Sequence, residues 1–249
     1  MILIGWDVGI KNLSYCVIEY NEEKKEYKIL DWNIIDLRTD GTEQEENIVD
    51  DIKKSNVEAK SKAKAKAKVN SKTACLEDNE DEKEKEKPKP KAKKNQKCSK
   101  ISLKDLSRNL YKQLEENNYF SNFDYVIIEN QPVLKNPTMK SIQMILYSYF
   151  SFKSLNIQSF KDLILMNASN KLKVYKGEVD KDEMDKINNL KSKYSRNKKI
   201  SILHTKLILE HHEFNKNNWI GFFDKNKKKD DLADSFLMIL YYLKKNKLI

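Results

Sequence analysis

The sequence predicts an α/β protein built on a mixed five-stranded sheet, an antiparallel meander extended by parallel crossovers and flanked by helices. Three observations carry that prediction. Three strand-like runs with short connections open the chain, and beyond residue 100 helical periodicity alternates with compact apolar runs. Glycine and proline, 5 and 4 in 249 residues, are too scarce for a fibrous chain.

Taken in order, Ile2 to Asp7 is short and apolar, Leu13 to Tyr20 is rich in Tyr, Val and Ile, and Tyr27 to Ile35 follows a charged turn at Asn21 to Glu26. Such short connections imply antiparallel neighbours. Residues from about Lys53 to Lys100 then form a low-complexity block of Lys, Ala, Glu and Pro that offers little to bury, so disorder is expected there. Motif residues fall on both sides of it, so residues 1–249 are read as one domain interrupted at about 53–100. After the block, Leu103, Leu106, Leu110 and Leu114 recur at helical spacing behind a Ser102 cap. Asp124 to Glu129 is a buried-strand pattern. Asn136 and Pro137 suit the cap and first position of an apolar helix through Ile142, Ile145, Tyr149 and Phe152, whose broad aromatic stripe is read as core before interface. Asp162 to Asn167 reads as another strand, a basic helical stretch covers Lys191 to Glu213, and a final helix begins near Asp231.

Charge is unevenly spread. The net +10 resolves into −8 over residues 1–52, +9 over 53–100 and +9 over 101–249, a distribution suited to meeting a polyanion. A lysine-rich solvated surface would explain the charge equally well. Cys16, Cys75 and Cys98 are odd in number and lack paired spacing, which argues against a disulfide scaffold or zinc knuckle and for a reducing compartment. Asp7 interrupts the apolar N-terminus, and no apolar run is long enough to cross a bilayer, so a soluble intracellular protein with no membrane association is expected.

Four carboxylates carry the chemistry. Asp7 closes the first strand before Val8-Gly9; a turn-forming Asp-x-Gly would explain it alone. Glu129 closes an apolar strand before Asn130-Gln131-Pro132, where a buried charge is costly unless it is paired or bound to metal. Asp231 and Asp234 share one face at the start of the last helix, where complementing the helix dipole would also account for them, and Asp230 is equally able to do that. Brought to one rim of a sheet, the four would form an oxygen-only site for Mg²⁺ or Mn²⁺, the arrangement that hydrolyses phosphodiesters with two ions. Lys227, Lys228 and Lys229 precede the acidic pair, placed either to hold phosphates or simply as a solvated loop.

The segments Gly5-Trp6-Asp7-Val8-Gly9-Ile10-Lys11-Asn12-Leu13, Ile128-Glu129-Asn130-Gln131-Pro132 and Lys229-Asp230-Asp231-Leu232-Ala233-Asp234-Ser235 resemble the three acidic motifs of RuvC-type Holliday junction resolvases, within the RNase H-like superfamily. The likeness is to the branch of poxviruses and other large DNA viruses, with fungal mitochondrial resolvases as relatives. Pro137 to Gln143 and Ser169 to Val174 also look like parts of that branch, and the resemblance covers residues 1–37 and 101–247. It implies an RNase H-like fold and a homodimer whose two sites make symmetric Mg²⁺-dependent nicks in a four-way junction, in viral recombination or concatemer processing. Two ions per site are expected, with Mn²⁺ able to substitute and no small-molecule cofactor. Asp7, Glu129, Asp231 and Asp234 would be the catalytic metal ligands. Lys140, Lys171, Lys173 and Lys227 to Lys229 are the expected DNA contacts. A viral origin would place the protein in the host cytoplasm, with the nucleus also open.

Other signals are weaker. His204, His211 and His212 lack a zinc-protease arrangement and read as surface or core-edge residues. Trp6, Trp32, Trp219 and the other aromatics could stack on unpaired bases, although core packing explains most of them. Sugar kinases and actin-like ATPases also open on Asp-x-Gly, but their second glycine-rich phosphate loop is hard to build from 5 glycines. Two functional alternatives stand beside junction resolution: a related nuclease acting on flaps or RNA–DNA hybrids, and a basic DNA-binding protein whose acids are structural.

Overall fold

The computed structural model describes residues 1–39, 101–134, 136–211 and 213–249, with residues 213–218 described by backbone alone. The expectation for the lysine-rich block at 53–100 lies outside the described residues, as does His212.

One five-stranded sheet organises the described chain. Strands β1 (Ile2–Asp7), β2 (Leu13–Asn21) and β3 (Glu26–Ile35) form the antiparallel meander; β4 (Tyr125–Glu129) and β5 (Asp162–Met166) add in parallel, giving the order β3-β2-β1-β4-β5. The helices are α1 (Leu103–Glu116), α2 (Pro137–Ser154), α3 (Lys181–Asn188), α4 (Lys193–His211), α5 (Glu213–Lys225) and α6 (Lys229–Lys245). Side chains alternate across the sheet with period two. Ile4, Trp6, Tyr15, Val17, Val126 and Ile128 face a core shared with α1 and α2, whereas Leu3, Cys16, Ile18 and Ile127 face one shared with α4, α5 and α6. Burial on both faces is why β1 and β4 read as continuous apolar runs.

The expected helix starts are present. Ser102 Oγ accepts the Asp105 amide at 3.2 Å, and Asn136 Oδ1 accepts that of Met139 at 3.2 Å with Pro137 in the first turn. The second helix buries Ile142, Leu146, Tyr149 and Phe150, so the core reading holds for Ile142 and Tyr149, whereas Phe152 falls outside that face and is 67% exposed. The final helix starts two residues earlier than its expected position near Asp231, at Lys229, which puts Asp231 inside the first turn. Helix α5 had no periodic signature, since it contributes to the core through the cluster Trp219, Phe222 and Phe223 around Trp32 rather than through a stripe.

Helix α6 crosses directly over β1 and β2, and Gly5 permits this: a Cβ there would stand 2.5 Å from the Ser235 carbonyl oxygen and 2.7 Å from Ile239 Cγ1. The contact is locked by a buried hydrogen bond of 2.8 Å between the Ser14 and Ser235 hydroxyls, and Trp32 donates to the Leu232 carbonyl at 3.0 Å. The N-terminal end of α6 therefore lies against the sheet rim where β1 ends.

Candidate active site

Strand register does the first part of the assembly. Trp6 pairs with Ile128 in the parallel β1–β4 ladder, so the next residues, Asp7 and Glu129, end side by side at the same rim. Gly9 turns the chain back sharply at this point; a Cβ there would run into the Asn12 carbonyl, so it is backbone that approaches closely. Beyond β4, the Asn130 amide donates to the Met166 carbonyl at 2.8 Å, and the Gln131 amide donates to buried Gln143 of α2 at 2.7 Å. These bonds hold the loop after Glu129 in place. Helix α6 supplies the remaining acids from its first turns, with Asp231 and Asp234 on the face that meets the rim.

The result is a cleft of about 480 Å³ lined by Asp7, Glu129, Asp231 and Asp234, together with Gln131, Ser169 and Lys171 and residues of α4. Asp7 and Glu129 are each 8% exposed. Burial, then the Glu129 charge and a hydrogen bond shared with it, hold the Asp7 carboxyl well above the usual carboxylate range; Asp234 adds to this and Lys171 opposes it. Burial also raises Asp231, with Asp230 contributing. Asp234 is pushed up to about 6, chiefly by burial, against the pull of the Lys171 ammonium.

Among the described residues, Lys171 is the cation paired directly with these acids. It comes from the 3₁₀ turn Ala168–Lys173, pairs with Asp234 Oδ2 and lies 4.0 Å from Glu129. Burial works against its charge, but Asp7, Asp234 and Glu129 outweigh that and raise its pKa. Asp231 Oδ2 and Asp234 Oδ1 are buried with no hydrogen-bond partner. Asp234 thus gives one oxygen to Lys171, while its other oxygen is buried without a partner. No three Asp, Glu, His or Cys side chains among the described residues converge on one point at ligand distance. The donor set nonetheless fits a hard divalent cation: all four groups are carboxylates, no His or Cys lines the cleft, and two buried oxygens lack partners.

The other lysines singled out in the sequence lie elsewhere. Lys140 donates to Asn130 and Gln143, each at 3.1 Å, behind the loop; Lys173 is exposed and bonded to Asn170 at 3.0 Å. Lys227, Lys228 and Lys229 sit at the start of α6 outside the cleft lining, and Lys229 pairs with Asp224 at 3.4 Å. Helix α4 supplies cleft residues that the sequence reading passed over: Lys193, Tyr194, Asn197, Lys198 and Ser201. Their i, i+4 polar spacing in the basic helical stretch was the available signal. Lys198 forms an ion pair with Asp230, which lowers the Asp230 carboxyl below its usual value against the effect of burial. Of the histidines, His204 is buried against Tyr175, ring centroids 5.2 Å apart, and His211 is exposed; neither lines the cleft.

Comparison with known proteins gives this fold relatives. The chain is 37% identical over 161 residues to the uncharacterized protein L451 of Acanthamoeba polyphaga mimivirus, and that match spans 60% of this chain but only 37% of the relative's length. The crystal structure of the Fowlpox virus resolvase with substrate Holliday junction DNA superimposes with a TM-score of 0.50 at 19% identity, covering 99% of both chains, which shows a shared fold. That of the yeast mitochondrial Holliday junction resolvase Ydc2 gives 0.47 at 17%, covering 99% of this chain and 80% of the other. The mixed five-stranded sheet flanked by helices is thus of the RNase H-like type. The catalytic-domain model described as mitochondrial resolvase Ydc2 / RNA splicing MRS1 matches residues 3–133, a span that includes Asp7 and Glu129 and stops short of Asp231 and Asp234. With just over half its length matched by that model, the chain belongs to the Ydc2 resolvase / MRS1 family.

Proposed function

We propose that this chain is a structure-specific DNA endonuclease that resolves four-way junctions, acting in viral DNA recombination or concatemer processing. The observation that carries this reading is the cleft in which Asp7, Glu129, Asp231 and Asp234 meet around Lys171. When ionised, these five groups sum to −3. A phosphodiester brought among them would be repelled by about 4 kcal/mol per close pair at an intermediate dielectric. Divalent cations remove that barrier, and the four acids are the residues that would hold them. Mg²⁺ is the proposed ion, two per site, with Mn²⁺ able to substitute. Bound there, the ions would supply an activated water and stabilise the leaving oxygen.

The chain's own residues complete the chemistry. Asp7 and Glu129, fixed by strand register, orient the attacking water against the scissile phosphorus. Asp234 holds Lys171 through one oxygen and keeps the other buried and unpartnered, so the ammonium is positioned beside the acids to meet a non-bridging phosphate oxygen. Gln131 and Ser169 at the rim supply neutral donors to neighbouring phosphates. Lys140, Lys173 and the Lys227 to Lys229 run remain proposed as flanking contacts to the DNA backbone.

Symmetric nicking of a junction requires two sites, so we propose a homodimer. Met144 and Phe152 of α2, exposed on the side away from its buried face, are available for the contact. Residues 1–249 would act as one domain carrying an insertion at about 53–100. Among the described residues, no helix is long and apolar enough to cross a membrane.

The family's description also covers an RNA-splicing protein. The meeting of four carboxylates in one cleft favours hydrolysis over a purely binding role, and the same experiment separates the readings. A labelled mobile four-way junction is incubated beside linear duplex, flap, RNA–DNA hybrid and structured RNA, with Mg²⁺ or with EDTA. Paired symmetric nicks confined to the junction and abolished by EDTA are expected. Preferential cutting of hybrid or flap would move the substrate, and binding without cleavage of any of them would refute the nuclease.

A further inference from the structure

Most large aromatics of the described residues are consumed by the two cores: Trp6 packs with Tyr15, Phe120 and Phe150, and Trp32 with Phe223 and Phe236. Tyr194 is different. It sits in the first turn of α4, lines the acidic cleft and is 69% exposed. Tyr111, Tyr119 and Phe152 are also exposed, but none of them lines the cleft.

The ring is held at the cleft by charge. Lys198, one helical turn further along, places its Nζ 4.9 Å from the Tyr194 ring centroid, and Lys198 is anchored by its ion pair to Asp230. Asp230 precedes Asp231 on the helix that carries the acidic pair. A chain of two contacts therefore ties the Tyr194 ring to the helix that presents the carboxylates. One ring face meets the ammonium, while most of the side chain stays open to the cleft.

An exposed ring beside lysines and carboxylates contributes nothing to the core; its hydroxyl suits a phosphate oxygen, but that contact makes no use of the ring face. A protein partner would need a broad apolar patch, but the neighbours are Lys193, Asn197 and Lys198. What fits is a flat apolar π-face carried on a polyanion, which is a nucleobase. We propose that Tyr194 is a stacking platform for a base left unpaired where strands exchange, seating it while the adjoining phosphate enters the acidic cleft. This deepens the nuclease reading and rests on it.

The test uses the full chain with Ca²⁺ to permit binding without turnover, and a four-way junction carrying 2-aminopurine at branch-point positions. Wild-type protein is expected to quench the probe. Tyr194→Ala should abolish the quenching and weaken junction binding by about 5- to 150-fold, the range for losing one stacked base, with duplex binding unchanged and thermal stability intact. Tyr194→Phe should match wild type, and Tyr194→Leu, apolar but without a π-face, should match the alanine variant. Quenching that survives in Tyr194→Ala, or equal weakening on junction and duplex, would overturn the platform while leaving the nuclease reading standing. A wild-type protein that binds no branched or single-stranded nucleic acid overturns both.

Discussion

Asp234 gives one oxygen to Lys171 and keeps the other buried without a partner, and that arrangement makes its behaviour testable. Its carboxyl titrates at about 6 against an ordinary 3.8, mainly through burial. The folded protein thus keeps a proton that the unfolded chain has already lost. The stabilisation from that proton is complete below about pH 4 and is lost as pH rises through about 6. A divalent ion competes with the same proton, so the gain in Tm on exchanging EDTA for Mg²⁺ is expected to be larger at about pH 7.5 than at about pH 5. A gain that ignores pH would remove Asp234 from the ion site. For catalysis, Asp7→Asn, Glu129→Gln and Asp234→Asn are each expected to lower junction cleavage by about 100-fold or more, because each removes charge from the proposed ion site. Gel-shift affinity for the junction should change little in these variants, since the flanking phosphate contacts remain. Cleavage retained in both Asp7→Asn and Glu129→Gln would make the acids structural.

At the scale of elements, the site depends on how closely α6 lies on β1. Gly5→Ala sets a methyl group 2.5 Å from the Ser235 carbonyl oxygen and 2.7 Å from Ile239 Cγ1, so the helix must shift. A loss of about 1–3 kcal/mol in urea unfolding is expected, together with reduced cleavage, because Asp231 and Asp234 move with the helix. Combining it with Ile239→Val, which removes Cδ1 and keeps the γ carbon, should recover little of that loss, since the clashes with the Ser235 carbonyl and the γ carbon remain. Full recovery of stability would show that the helix is free to adjust. The sequence marked both ends of this contact, Asp7 after a strand and Asp231 at a helix start, but Gly5 read there only as a small residue in an apolar run. Helix α4 was legible as a basic helix and not as a wall of the cleft, because its polar spacing means solvent until a neighbouring element is known. Lys171 had the same ambiguity: a lysine in a polar turn looks like a DNA contact, and its pairing with Asp234 spans 63 positions of chain.

For the whole molecule, the proposed function would have charge separate recognition from chemistry. The acids of the proposed site would repel DNA, whereas residues 53–100 and residues 101–249 each carry +9. Deleting residues 55–98 is expected to weaken junction binding and flatten the slope of log affinity against log salt, with the cleavage rate at saturating protein preserved. An unchanged slope would mark the block as a passive insertion. The sequence by itself determined the strand order, the helices α1, α2, α4 and α6, and the two parallel additions to an antiparallel meander, and it singled out the four acids as candidates, because periodicity, caps and strand-ending carboxylates are local patterns. Only the tertiary structure decided that Asp7 and Glu129 stand side by side, that Lys171 lies among the acids and that Tyr194 faces the same cleft. Those facts depend on register between strands far apart in the chain and on helices packed across a sheet, distances that no local pattern encodes.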